Sequence, residues 1–220
     1  YQSPTDMGVN MAGYCITDDA AVCAAARQEI LRRYYAARCQ ERKGLSDGRD
    51  AGKILLLMKN CGLTVDERKP VAAAAGLALL TGEPAAAIEL PDGRIVTGKT
   101  SKLMGAASAM LLNALKVLGG IDDGIKLISP QVIEPVQDLK VNHLGNNNPR
   151  LHTDEVLLAL SISAATDPVA EQAMQQLEKL RGAEVHSTVI LSAVDENTFR
   201  HLGINLTCEP VYQSKKLYHK

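Results

Sequence analysis

Residues 81–101 read TGEPAAAIELPDGRIVTGKTS, and the fold turns on how this stretch is parsed. Thr81-Gly82-Glu83-Pro84 ends whatever precedes it, because glycine and proline both punctuate regular structure. Ala86–Leu90 and Arg94–Thr97 are short strand-like runs flanking Pro91-Asp92-Gly93, and Asp-Gly in that position is a hairpin turn signal. The same letters contain Gly93-Arg-Ile-Val-Thr-Gly98-Lys99-Thr100, a full match to the phosphate-loop pattern GxxxxGK[ST]. The two readings compete. A phosphate loop needs glycines after a strand and backbone amides that wrap the phosphates. Here the first glycine falls in the turn, and β-branched Ile95-Val96-Thr97 reads as a strand that cannot curl into a nest. The hairpin reading wins. Only the rear of the string survives as an anion contact: Lys99, Thr100 and Ser101 stand just before a predicted helix, Lys102–Leu118, whose first amides are free.

Working outward, residues 1–82 read as helical. Asp18 caps a helix to about Arg42, with Val22, Ala26, Ile30 and Tyr34 recurring every four residues. A second helix runs over about Asp50–Cys61 and stops at Gly62. Thr64-x-x-Glu67 has capping-box spacing, and Pro70 opens a third helix across Val71–Leu80. Beyond the hairpin, strands are predicted at Lys126–Ile133, Val136–Val141, Glu184–Leu191 and Ile204–Tyr212. Helices are predicted from Thr153 to about Ala165, from Pro168 to Gly182, and after Asp195. The alternation implies a helical subdomain, 1–82, followed by a three-layer α/β sandwich, 83–220.

Composition narrows the function classes. A net charge of −1 excludes a global nucleic-acid footprint. The basic stretch Arg27–Lys43 is offset, since residues 1–50 hold seven Lys/Arg and seven Asp/Glu, so a solvated helix face is favoured. The five scattered cysteines form no CxxC pair and suit a reducing compartment, so the chain is expected to be cytoplasmic. No apolar run approaches a membrane span; the longest is Val71–Leu80. The chain opens at Tyr1, which reads as processing or as an excerpt of a longer protein. HExxH, GxSxG, GxGxxG and HxE with PCxxC are all absent, so no metal ligands and no cofactor are assigned.

The densest polar stretch is His143-Leu-Gly-Asn146-Asn147-Asn148-Pro-Arg150-Leu-His152-Thr-Asp-Glu. Such a loop can grip a phosphate or carboxylate, with a histidine moving a proton near neutral pH. Turn-forming asparagines and a capped helix start explain the same letters. Asp6 and Asn10, in a loop of small residues, form a second candidate for orienting a ligand, or a mere connecting segment. His186 reads as a satisfied strand histidine.

Several long strings, SPTDMGVNMAGYCI, TGKTSKLMGAASAMLLNALK, HLGNNNPRLHTDEVLLALSISAAT, EVHSTVILS and GINLTCEPVY, resemble the bacterial family called domain of unknown function 1846. The resemblance covers essentially the whole chain and places it toward the C-terminal part of longer proteins. It implies a helical subdomain before an α/β subdomain of cytidine-deaminase-like topology, a sandwich that also occurs in enzymes without zinc. It also implies a separate phosphate-loop-like sequence in the family's N-terminal part, outside this chain.

Together these readings set the expectation of a cytosolic enzyme acting on a small anionic, phosphorylated or nucleotide-like substrate. Asn146, Asn147, Arg150 and His152 would contact it, Lys99, Thr100 and Ser101 would add an anion contact, and His143 or His152 would transfer the proton. The alternative is a non-catalytic module whose Ala-rich helices form a homo-oligomer or dock the missing N-terminal part. Membrane and nucleic-acid partners are not expected.

Overall fold

The computed structural model describes residues 17–213. The chain divides into two compact units between Arg68 and Lys69.

The first unit is helical. Helix α1 (Asp19–Arg42) starts where Asp18 Oδ1 accepts from the Ala21 N–H at 2.9 Å, as its sequence predicts. The buried stripe is rotated from the expected one: Leu31 and Tyr35 are buried, while Ala26 is exposed. Helix α2 (Arg49–Asn60) packs Met58 against Leu31 and Leu63. The predicted capping box forms, though on a single 3-10 turn, Val65–Glu67. Arg27 ties these pieces together, pairing with Glu67 and donating to the Cys61 carbonyl at 3.2 Å.

The second unit begins with α3 (Lys69–Thr81) and the predicted hairpin, β1 (Ala85–Glu89) and β2 (Ile95–Lys99). Gly93 takes φ +84° in the turn, a conformation that favours glycine. Helix α4 (Ala106–Gly119) follows, then α5 (Pro130–Asp138), α6 (Thr153–Ala164), α7 (Pro168–Met174), β3 (Glu184–Ser187), α8 (Ala193–His201) and β4 (Asn205–Cys208). The strand order is β2-β1-β3-β4; β1 is antiparallel to both neighbours and β3 is parallel to β4. Three strands therefore run the same way, with their C-terminal ends at one edge of the sheet.

Alternation along β1 puts Ala86 and Ile88 in the core with Met110 and Leu111 of α4. Ala85 and Ala87 face the other way, are also fully buried, and meet α3, so β1 is sandwiched. Alanine suits that place because both helices must come close. Gly98 pairs with Ala86 in register, and a Cβ on it would lie 2.1 Å from the Met110 backbone nitrogen. The second glycine of the phosphate-loop string is thus a seat for α4.

Two expected strands are corrected. Residues 130–138 form α5, which runs into a π-helical turn, Leu139–His143. Pro130 at the first helical position favours that start, and Ile133 and Lys140 are buried on a helical period, which overrides the strand-like letters. Helix α4 also starts at Ala106, later than predicted. The Ser101 hydroxyl accepts from the Leu103 and Met104 amides, both at 3.2 Å, and this local turn competes with helix. Strand β3 is shorter than predicted for a similar reason: Ser187 Oγ donates to the Val189 carbonyl at 2.8 Å and closes a turn; β4 also ends early, at Cys208.

Candidate active site

Three helix starts meet at the C-terminal edge of the sheet. The strap after β2 leads to α4, the strap after β3 leads to α8, and the approach to α6 is wedged between them. Leu151 bridges Met104 in parallel, donates to the Leu103 carbonyl at 3.0 Å, and accepts from Ser108 Oγ at 3.1 Å. Thr153 opens α6 by giving both its N–H and its hydroxyl to Asp195 Oδ1, each at 2.9 Å. The crevice beyond the carboxyl ends of strands is where α/β sheets commonly hold ligands.

His152 stands at this meeting point, immediately before α6. Its Nδ1 is 3.0 Å from Asp195 Oδ2, and Ser192 Oγ donates to the same oxygen at 2.7 Å. Ser192 Oγ is also 3.3 Å from His152 Nδ1. Among the described residues both contacts of the ring run through Nδ1 and none through Nε2, and the side chain is 27% exposed. An acidic partner on Nδ1 fixes the tautomer and orients the ring. The Asp195 hydrogen bond raises the His152 pKa above the ordinary imidazole value; burial opposes it and is outweighed. Burial pushes the Asp195 carboxyl up, but the hydrogen bond and charge of His152, the Thr153 amide and the Ser192 hydroxyl together hold it below the ordinary range. Both shifts favour the imidazolium–carboxylate pair over its neutral form.

A buried ion pair holds the backbone around this ring. Lys140, in the π-helical turn, is buried and donates to Glu155 Oε2 at 2.7 Å and to the Arg150 carbonyl at 2.8 Å. Glu155 Oε2 in turn accepts from the His152 N–H at 2.7 Å. Arg150 Nε reaches the Ser101 carbonyl at 2.8 Å, joining the loop to the strap after β2.

The fold thus brings three predicted residues, His152, Arg150 and Ser101, to one edge. Lys99 ends β2 with its side chain exposed and without a hydrogen bond among the described residues. Thr100 is buried, and its N–H donates to the Pro84 carbonyl at 2.8 Å. Asn146 and Asn147 are exposed, and their side chains make no hydrogen bond among the described residues. His143 is exposed, with Nε2 3.9 Å from Asp138 Oδ2. His186 is buried in β3 against Thr207 Oγ1 at 3.0 Å. Asp6 and Asn10 lie outside the described residues.

Lys140, Ser192 and Asp195 were not among the predicted site residues. Ser192-x-x-Asp195 carries a helix-start signature that hid a second role for the aspartate. Lys140 continues the buried stripe of Ile133, a place where a charge needs a partner. Among the described residues, no three His, Cys, Asp or Glu side chains converge to hold a metal ion, and no helix is long and apolar enough to cross a membrane.

The chain matches two family models over nearly its whole length. Residues 1–62 match "Domain of unknown function DUF1846, N-terminal" and residues 66–218 match "Domain of unknown function DUF1846, C-terminal". The gap between the matches lies close to the division of the structure at Arg68. A UPF0371 protein of Corynebacterium glutamicum is 56% identical over the whole chain, and one of Streptococcus thermophilus is 50% identical. The chain spans 44% of the length of each of these relatives. It belongs to the family described as domain of unknown function DUF1846.

Proposed function

We propose that the second unit carries the proton-transfer part of an enzyme site for a small anionic substrate, with His152 as general acid and base. The observation that carries this reading is Asp195 on Nδ1 of a partly exposed imidazole whose Nε2 makes no contact among the described residues. A ring so held is oriented for proton transfer, and its carboxylate partner favours the charged form. Arg150, Asn146 and Asn147 from the loop, and Lys99 from the end of β2, are the proposed anion contacts; Thr100, which is buried, and Ser101, whose hydroxyl serves the turn before α4, would support that end from behind. Helix α4 adds to them, because its N-cap, Gly105, makes no side-chain cap bond and no side chain among the described residues accepts from its first-turn amides. The reaction proceeds in the cytoplasm, in a longer protein whose remaining part supplies further contacts.

A thermal-shift screen of sugar phosphates, nucleotides and carboxylates tests it, run on this chain and on a full-length relative. The expected result is stabilisation of both proteins by one anionic class, lost in Arg150→Ala and retained in His152→Gln, while turnover is lost in His152→Gln. Stabilisation that survives Arg150→Ala, or turnover that survives His152→Gln, overturns the reading.

A second reading, an assembly module that forms a homo-oligomer or docks the rest of the protein, is favoured by apolar exposure. Leu56 is 60% exposed on α2, and Leu79 and Leu80 are 88% and 83% exposed at the end of α3. It predicts concentration-dependent association that Leu79→Glu with Leu80→Glu abolishes.

A further inference from the structure

We propose that the second unit has another ligand site, a cavity beside α4 that binds a small carboxylate with a compact apolar body. This cavity is a pocket of about 230 Å³, half open to solvent, between α4, the strap after β2, and the segment that leads into α5. Leu103, Met104, Leu112, Ile128 and Ile133 supply its apolar wall. A dry cavity of roughly 150 Å³ is enough to take up benzene. This one therefore suits a single ring or a branched chain carrying a short arm, below the size of most cofactor pockets.

The polar rim decides what the arm must be. Asn113, Lys116 and Lys126 line the cavity, and no acidic side chain does. Asn113 Nδ2 is committed to the Thr97 carbonyl at 2.9 Å. Lys116 spends one of its three ammonium hydrogens on the Asp123 carbonyl at 2.7 Å. Lys126 makes no hydrogen bond or ion pair among the described residues, and it is exposed. A lysine at the rim with no protein partner among the described residues favours a negative group on a ligand seated over the apolar floor. One free ammonium, with a second partly used and no guanidinium fork, matches a carboxylate better than a doubly charged phosphate.

This site is separate from the one around His152, and its ligand does not depend on the role given to that ring. The two share a wall, since Leu103 and Met104 also pair with Leu151 on their other side.

The test uses the full chain labelled with ¹³C at its methionine methyls. Phenylacetate is the probe, with benzyl alcohol, acetate and phenyl phosphate as controls. Phenylacetate is expected to shift the Met104 methyl with millimolar affinity, as suits so small a ligand. Lys126→Glu, an exposed change, is expected to weaken it about fivefold and to leave benzyl alcohol unaffected. The proposal is overturned by no Met104 shift, equal binding of phenylacetate to Lys126→Glu, benzyl alcohol as tight as phenylacetate, or phenyl phosphate tighter than it. Acetate as effective as phenylacetate would overturn the apolar half of the argument in the same way.

Discussion

Asp195 divides its two carboxylate oxygens between neighbours in sequence: Oδ1 takes the amide and hydroxyl of Thr153, and Oδ2 takes Nδ1 of His152. One side chain from the start of α8 therefore both opens α6 and orients the ring that precedes it. Deleting the Asp195 side chain would therefore disturb the start of α6 together with the ring, whereas Asp195→Asn keeps the shape and removes the charge.

Stability should depend on pH through this pair. His152 has a raised pKa in the folded state, so its contribution is full below the ordinary imidazole value of about 6.5 and fades as pH rises through the folded value. Asp195 has a lowered pKa, so its contribution is full above about 3.9 and fades as pH falls through the folded value. Urea unfolding at a series of pH values should show the excess stability of the native chain over His152→Gln shrinking toward alkaline pH. A constant difference across that range would count against the ion pair.

Lys140 and Glu155 form a pair with one deeply buried member, since the Lys140 side chain is 3% exposed and that of Glu155 is 26% exposed. Lys140→Met leaves the carboxylate short of its cation and should cost about 3 kcal/mol in urea unfolding. The double variant Lys140→Met with Glu155→Gln should recover part of that loss. A double variant as unstable as the sum of the single ones would show that the two groups are not coupled.

Gly98 and Gly76 make opposite predictions for the same substitution. A Cβ at Gly98 would meet the α4 backbone, so Gly98→Ala should lower stability by about 2 kcal/mol or more. Gly76, inside α3, has open space where its Cβ would stand. Gly76→Ala should raise stability by about 0.5–1 kcal/mol through helix propensity. Thermal or urea unfolding of both variants reads the contrast directly.

Ser192 caps α8 by accepting the Asp195 N–H at 3.2 Å while donating to its carboxylate. Ser192→Ala should cost about 1 kcal/mol as a lost cap and should also shift the His152 titration. Ser192→Thr should restore both. A stability loss without any movement of the titration would leave Ser192 a cap alone.

The fold was largely legible where local chemistry decides the outcome. The Pro91-Asp92-Gly93 turn, the Asp18 cap and the Thr153 helix start all come from residues close in sequence, and each forms where expected. Residues 126–141 were misread because short apolar runs fit a strand or a buried helix equally well, and tertiary packing chose. The candidate site was legible by half. His152 and Arg150 stand in a visibly polar loop, but Asp195 and Lys140 reach them from other elements, and no spacing in a single sequence records that meeting. Gly98 shows the opposite hazard, since a letter that belongs to a phosphate-binding pattern is fixed here by the close approach of a helix.

The central claim is that Asp195 holds His152 as a proton-transfer group with Nε2 left to act. Its most direct test is side-chain ¹⁵N–¹H NMR of the imidazole across pH, in the native chain and in Asp195→Asn. The account predicts a neutral ring protonated on Nδ1, a titration above the ordinary imidazole value, and a fall in that value in Asp195→Asn. A neutral ring protonated on Nε2, or a titration that Asp195→Asn leaves in place, would contradict it.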